Sequence, residues 1–228
     1  MTDHLSVLRP RPCREQNLLI SASKHLYLTK KGFLRRQQKP IDPRYHGNKT
    51  LLTRLVVLDV DTGSVYGEIH SADTSPDLLG FLARAWSVKA SHPMHGIPEH
   101  LNIPKAVTQD ASMSDDLRRL ANAFHFSMAP LASGFSAGIH AVKKFEIEVE
   151  SLIWRLDQDI ELEGVLAISG VVSHLASSGM SLYLEQLWRE IPVPGDDFYG
   201  WVDAQYEIPG GWRLGPYEMV LKGLPQRG

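Results

Sequence analysis

The run Leu55-Val56-Val57-Leu58-Asp59-Val60, then Asp61-Thr62-Gly63-Ser64, then Val65-Tyr66-Gly67-Glu68-Ile69-His70 constrains this chain more than any other segment. Apolar and β-branched residues fill the first run, and an Asp-Thr-Gly turn joins it to the second. The pattern predicts a strand, a tight turn and a returning strand. Upstream, residues 17–23 are short and apolar enough for a buried strand that extends through Leu26-Tyr27-Leu28. Downstream, Ser75-Pro76-Asp77 supplies a capping side chain, a proline at the first helical position and an acidic first turn. Leu78, Leu79, Phe81, Leu82 and Trp86 then recur at helical spacing. Residues 88–104 read as loop, and residues 106–110 as a short strand ending on a carboxylate. A helix starting at Ser114-Asp115-Asp116, a strand over 125–130 and a helix over 141–157 follow. A meander that passes into alternating strands and helices implies a mixed α/β sheet with helices on its faces. Residues 1–16 read as an irregular arm. Residues 158–228 read as an extension, helical over 165–189 and then rich in Pro, Gly, Trp and Tyr.

Composition bounds the setting. With 228 residues, 43% hydrophobic and 22% charged, the chain has the make-up of an ordinary globular protein and can bury a core without staples. A single cysteine, Cys13, excludes an internal disulfide and favours a reducing compartment. No run of 18 apolar residues suggests a membrane span, and the polar N-terminus lacks the core of a signal peptide, so a cytoplasmic protein is expected.

Charge is unevenly spread. Residues 1–55 hold twelve Lys and Arg against Asp3, Glu15 and Asp42, while the rest of the chain holds twelve against twenty-three. That asymmetry suits a basic face for nucleic acid or an acidic partner, or else two halves of one fold that neutralise each other. The basic residues concentrate in one loop, as Lys30, Lys31, Arg35, Arg36, Lys39, Arg44 and Lys49, with Phe33 and Tyr45 interleaved and Pro40, Pro43 and Gly47 as breakers. Clustered cations with aromatics are suited to gripping phosphates, and a solvated hairpin is the alternative reading.

Five collinear pieces of the chain resemble the catalytic core of DDE transposases and retroviral-type integrases, between Asn17 and Trp154. The hairpin of residues 55–67 resembles that family's second and third strands, and residues 75–86 fall where it has its first helix. Gly96-Ile97-Pro98 with Pro104-Lys105-Ala106-Val107-Thr108-Gln109-Asp110 resembles its "GIPxxIxSDNG" strand. Ser127-Met128-Ala129-Pro130 through Gly138 resembles its "SPPYxPQxNG" loop, and Ala141-Val142-Lys143-Lys144-Phe145 its "xVERF" helix opening. The resemblance implies an α/β fold of the ribonuclease H-like kind, a mixed five-stranded sheet flanked by helices over residues 17–157, with the C-terminal extension added.

The resemblance also implies a chemistry, two-metal phosphoryl transfer on three carboxylates, with Mg²⁺ or Mn²⁺ as cofactor. Carried over residue by residue, that triad is incomplete. Ser21, in Ser21-Ala22-Ser23, takes the place of the "DxT" aspartate, Asp110 retains the second carboxylate, and Lys143 replaces the glutamate of "VERF". A neutral serine and an ammonium group do not make a divalent-cation site, so no metal is expected, or one at Asp110 if any. A shifted alignment offers Glu146, one helical turn beyond Lys143, as the third carboxylate. Asp59 and Asp61 are then candidates for the first, although Asp61 suits a turn better.

Other candidates carry less. His25, His70, His92, His95, His100, His125 and His140 match no zinc-ligand spacing. Strand alternation would align Ser21, Ser23 and His25 on one face. Gly134-Phe135-Ser136-Ala137-Gly138 fails the register of a nucleophile elbow. Trp188, Trp201 and Trp212 with Tyr199, Tyr206 and Tyr217 suit a cap over the sheet or a surface for a protein partner. The expected function is that of a catalytically impaired integrase-like pseudoenzyme of a mobile-element system, binding DNA or a protein partner and possible as a homodimer. An active DNA-integration enzyme and a pure interaction module are the alternatives.

Overall fold

The computed structural model describes residues 10–31, 33–71, 77–89, 93–131, 142–143, 166–169 and 178–213. The protein is an α/β molecule built on a mixed open sheet. Strand β1 (Glu15–Leu28) is followed by β2 (Leu34–Arg36), β3 (Thr50–Asp59), β4 (Val65–Ser71) and helix α1 (Leu78–Trp86). Then come β5 (His100–Ile103), helices α2 (Lys105–Gln109) and α3 (Ala111–Phe124), β6 (Ser127–Pro130) and β7 (Leu166–Ser169). Helices α4 (Ser178–Arg189) and α5 (Asp196–Asp203) complete the described elements. Six strands lie in the order β6-β5-β1-β3-β4-β7, with β2 paired to β1 off that path. β1, β3 and β4 form an antiparallel meander, whereas β5 runs parallel to β1 and β6 parallel to β5.

The hairpin foreseen between β3 and β4 forms around Asp59. Its carboxylate accepts from the Thr62 backbone N–H at 3.0 Å and the Thr62 hydroxyl at 2.7 Å. Gly63 takes the left-handed φ of +67° that lets so short a turn close. The same carboxylate accepts from the Cys13 N–H at 2.8 Å, which ties the entry of β1 to this turn.

β1 changes partners along its length. Its first part pairs with β3 and β5, but the register slips between Ala22 and Tyr27, where Ser23 Oγ accepts from the backbone N–H of Leu26. Beyond that irregularity β2 takes the side of β1 that β5 occupies lower down. The polypeptide from Leu26 to Lys49 therefore forms an arm on the sheet, seated on buried Leu26, Leu28, Leu34 and Ile41.

The main core lies against the face of the sheet that carries Leu18, Leu55, Val57 and Tyr66. Trp86 packs edge-on to Phe126 at 5.4 Å and donates its indole N–H to Gln16 Oε1 at 2.9 Å. The aromatic C-terminal segment enters the same core. Trp188, Phe198 and Trp212 are all buried, Phe198 lies 5.2 Å from Phe124, and Tyr199 stacks on Trp212 at 6.0 Å.

Several local expectations are corrected. Residues 106–110 are not a strand, because Pro104 ends β5 and opens the one-turn helix α2, despite the β-branched Val107 and Thr108. The strand lies earlier, inside the stretch read as loop. Helix α3 begins at Ala111 and is capped by Asp110, ahead of Ser114. Helix α1 takes Asp77 as its N-cap, and Ser75 and Pro76 lie outside the described residues. The stretch 165–189 is not one helix, since it contains β7 before α4. The helix expected over 141–157 lies outside the described residues, apart from helical Val142 and Lys143.

Candidate nucleic-acid interface and the integrase-like positions

Of the residues drawn from the integrase resemblance, Ser21, Asp110 and Lys143 lie among the described residues. Asp110 is exposed, and its carboxylate accepts from the Met113 N–H at 3.0 Å as the cap of α3. Ser21 sits inside β1 opposite Arg54 of β3, its hydroxyl buried without a hydrogen bond among the described residues. Lys143 is exposed, and Glu146 lies outside the described residues. No hydrogen bond or ion pair joins Asp110 to Ser21. The parallel ladder between β1 and β5 ends at Asn17 and Asn102, short of Ser21, and α2 then carries the chain away before Asp110 is reached. Among the described residues no three His, Cys, Asp or Glu side chains converge as a metal site.

What the parallel strands do bring together is a pair of amides. Asn102 Nδ2 donates to Asn17 Oδ1 at 2.7 Å and to Glu15 Oε1 at 2.6 Å. Sequence reading missed this group, although the alternating polar residues Glu15, Asn17, Ser21 and Ser23 hint at a polar stripe on one face. Ser23 Oγ is engaged by the irregular backbone of β1, and His25 Nδ1 lies 3.1 Å from the Gln37 carbonyl. Asp61 lies in the β3–β4 turn but pairs with Arg14 at 2.6 Å, and the side-chain bonds expected of it are made by Asp59 instead.

The basic residues of the predicted loop lie along the arm. Between Lys24 and Thr50 the sequence places eight Lys and Arg against Asp42 alone. The β1–β2 turn holds Lys30 and Lys31 exposed, closed by the Thr29 N–H donating to the Phe33 carbonyl at 2.9 Å. Arg35 and Arg36 stand on β2, the first with its guanidinium 5.7 Å from the Phe33 ring. Lys49 donates to Gln37 Oε1 and lies 4.9 Å from the Tyr27 ring. These contacts set the Arg35 guanidinium and the Lys49 ammonium beside aromatic faces.

The far end of the arm, residues 42–48, is a preorganised turn. Asp42 accepts from the Arg44 backbone N–H at 2.9 Å and from the guanidinium at 3.1 and 3.0 Å. Those bonds hold the Asp42 carboxyl below its usual range. The Tyr45 N–H donates to the Asp42 carbonyl, and His46 Nδ1 lies 2.7 Å from the Lys49 carbonyl. This scaffold presents the Tyr45 ring, 82% exposed and 5.8 Å from the Arg44 guanidinium.

A second charged constellation is wholly internal. Glu68 on β4 is fully buried and accepts from Arg84 Nε at 2.6 Å, Arg84 Nη2 at 2.8 Å and the Tyr66 hydroxyl at 2.7 Å. His70 Nε2 lies 2.8 Å from its other oxygen. Burial opposes the Glu68 charge, but the bonds from Arg84 and His70 outweigh it and hold the carboxyl below its usual range. Arg84 also donates to the Trp212 carbonyl at 2.6 Å, and the Tyr206 hydroxyl donates to Asp77 at 2.6 Å. A Cβ at Gly80 would stand 2.6 Å from the Tyr206 oxygen, so this approach needs glycine. Through the Arg84–Trp212 and Tyr206–Asp77 bonds the network fastens the described C-terminal segment to β4 and α1.

Comparison with protein-family models finds no match to this chain, and comparison with curated proteins finds none either.

Proposed function

We propose that this protein is a ribonuclease H-like, integrase-like pseudoenzyme that binds nucleic acid through its basic arm. The arm is the observation that carries the reading: residues 24–50 hold eight Lys and Arg and one carboxylate, with Arg35 and Lys49 beside aromatic rings. Such a surface attracts phosphates by counterion release and needs no metal to do so.

The sheet supports the ancestry. A three-strand antiparallel meander, then two strands laid parallel to its first member and each preceded by helix, is the arrangement a ribonuclease H-like core calls for. Loss of catalysis is supported by the residues that stand where the resemblance calls for the metal-binding triad. At the positions the resemblance assigns to carboxylates, Ser21 offers a neutral hydroxyl, Lys143 a cation, and Asp110 a carboxylate that caps a helix.

The test is binding of a fluorescent 20-base-pair DNA duplex, followed by anisotropy across a salt series. Wild type should bind with an affinity that falls linearly in log salt, and Lys30→Glu/Lys31→Glu should bind more weakly with a shallower slope. Absence of binding at low salt would sink the reading. A parallel Mn²⁺ titration addresses catalysis: a thermal shift in wild type that Asp110→Asn abolishes would make the protein an active strand-transfer enzyme instead.

A further inference from the structure

We infer that the arm recognises single-stranded nucleic acid, with Tyr45 as the platform on which an unpaired base stacks. This rests on the nucleic-acid reading and adds the class of ligand. A tyrosine at 82% exposure has no packing role to explain its size, yet the turn beneath it is held by six hydrogen bonds among residues 42–49. Fixing the backbone beneath an exposed ring buries no apolar surface within the folded chain. It lowers the entropy cost of stacking a partner on that ring.

The surroundings specify the partner. Arg44 lies 5.8 Å from the ring with its guanidinium fixed by Asp42, so the planar cation and the phenol form one surface. Lys39 and His46 are exposed nearby in sequence, and Lys49 follows one turn later. An unpaired base offers a π-face to Tyr45 while its flanking phosphates meet the cations. A duplex hides its base faces by internal stacking, so it offers only phosphates and leaves the ring unused. An acidic peptide would satisfy the cations but not the ring.

The experiment compares a fluorescent 20-nucleotide oligo(dT) with a 20-base-pair duplex, on wild type, Tyr45→Ala and Tyr45→Phe. Base stacking on one aromatic ring predicts that Tyr45→Ala weakens oligo(dT) binding by about 10- to 100-fold. Duplex affinity should change less than about 3-fold in the same variant, because its phosphate contacts are untouched. Tyr45→Phe should retain wild-type affinity for both. Thermal melting of Tyr45→Ala should superimpose on wild type, since the side chain is exposed. If the duplex binds but Tyr45→Ala loses nothing on oligo(dT), or loses equally on both probes, the stacking platform is refuted and the basic arm stands. If wild type binds neither probe, both proposals fall together.

Discussion

The same side-chain chemistry does opposite work in two parts of this molecule. Around Glu68, cations and carboxylates are drawn out of water and satisfy one another, with Arg84 engaged by Glu68 and the Trp212 carbonyl at once. On the arm, Lys30, Lys31, Lys39 and Arg44 stay in solvent, and among the described residues Arg44 pairs with Asp42. A buried charge must be paired or the fold fails, so the inner network is bound to stability. An exposed charge contributes little to folding, so an accumulation of one sign on the surface is free to serve binding.

The contrast can be broken most sharply at Arg84. Arg84→Met should strand the Glu68 carboxylate in the core and destabilise the protein by about 3–5 kcal/mol in urea unfolding. A loss below about 1 kcal/mol would mean that Glu68 is not held as an ion at all. Acid should act through the same pair. Because the folded-state pKa of Glu68 is depressed, its stabilisation is present above the ordinary carboxylate value and is lost as pH falls through the lower folded value. Wild-type unfolding free energy should therefore drop below about pH 4. The stability gap to Glu68→Gln should narrow over the same range, and a gap constant with pH would contradict it. Asp59 works the other way, since burial raises its pKa and protonation in mild acid relieves part of that cost.

A smaller effect is expected where one bond is removed and no charge is stranded. Tyr206→Phe should cost about 1 kcal/mol, the worth of its bond to Asp77, measured by the urea midpoint at constant slope. The smallest belongs to the arm. Lys30→Glu/Lys31→Glu should shift folding stability by no more than about 0.5 kcal/mol while weakening DNA binding. A large unfolding effect would show that the arm is structural after all.

How much of this was legible in the sequence depended on the range of the forces involved. The β3–β4 hairpin was readable because Leu55-Val56-Val57-Leu58 and Asp61-Thr62-Gly63 agree locally on strand and turn. β5 was not, because four residues between Pro98 and Pro104 are too few to show a period, and their strand state comes from pairing with β1. The helical state of Lys105–Gln109 was missed for the related reason that Val107 and Thr108 carry strand propensity, which the backbone set by Pro104 overrides. The basic arm was visible as composition, whereas the turn that presents Tyr45 depends on one aspartate, Asp42, bonding its neighbours. Asn17 and Asn102 are eighty-five residues apart, and only the parallel ladder makes them partners.

Cys13 has a practical consequence. The thiol is buried, donates to the His95 carbonyl at 3.1 Å, and is pushed well above the ordinary thiol pKa by burial and then by the nearby Asp59 charge. It is thus a poor nucleophile in the native state, and a maleimide dye should pass it by. A cysteine introduced on the exposed arm, for instance at His46, would become the reactive thiol of the folded protein. The chain arrives ready for single-site fluorescent labelling beside Tyr45, without first removing its native sulfur.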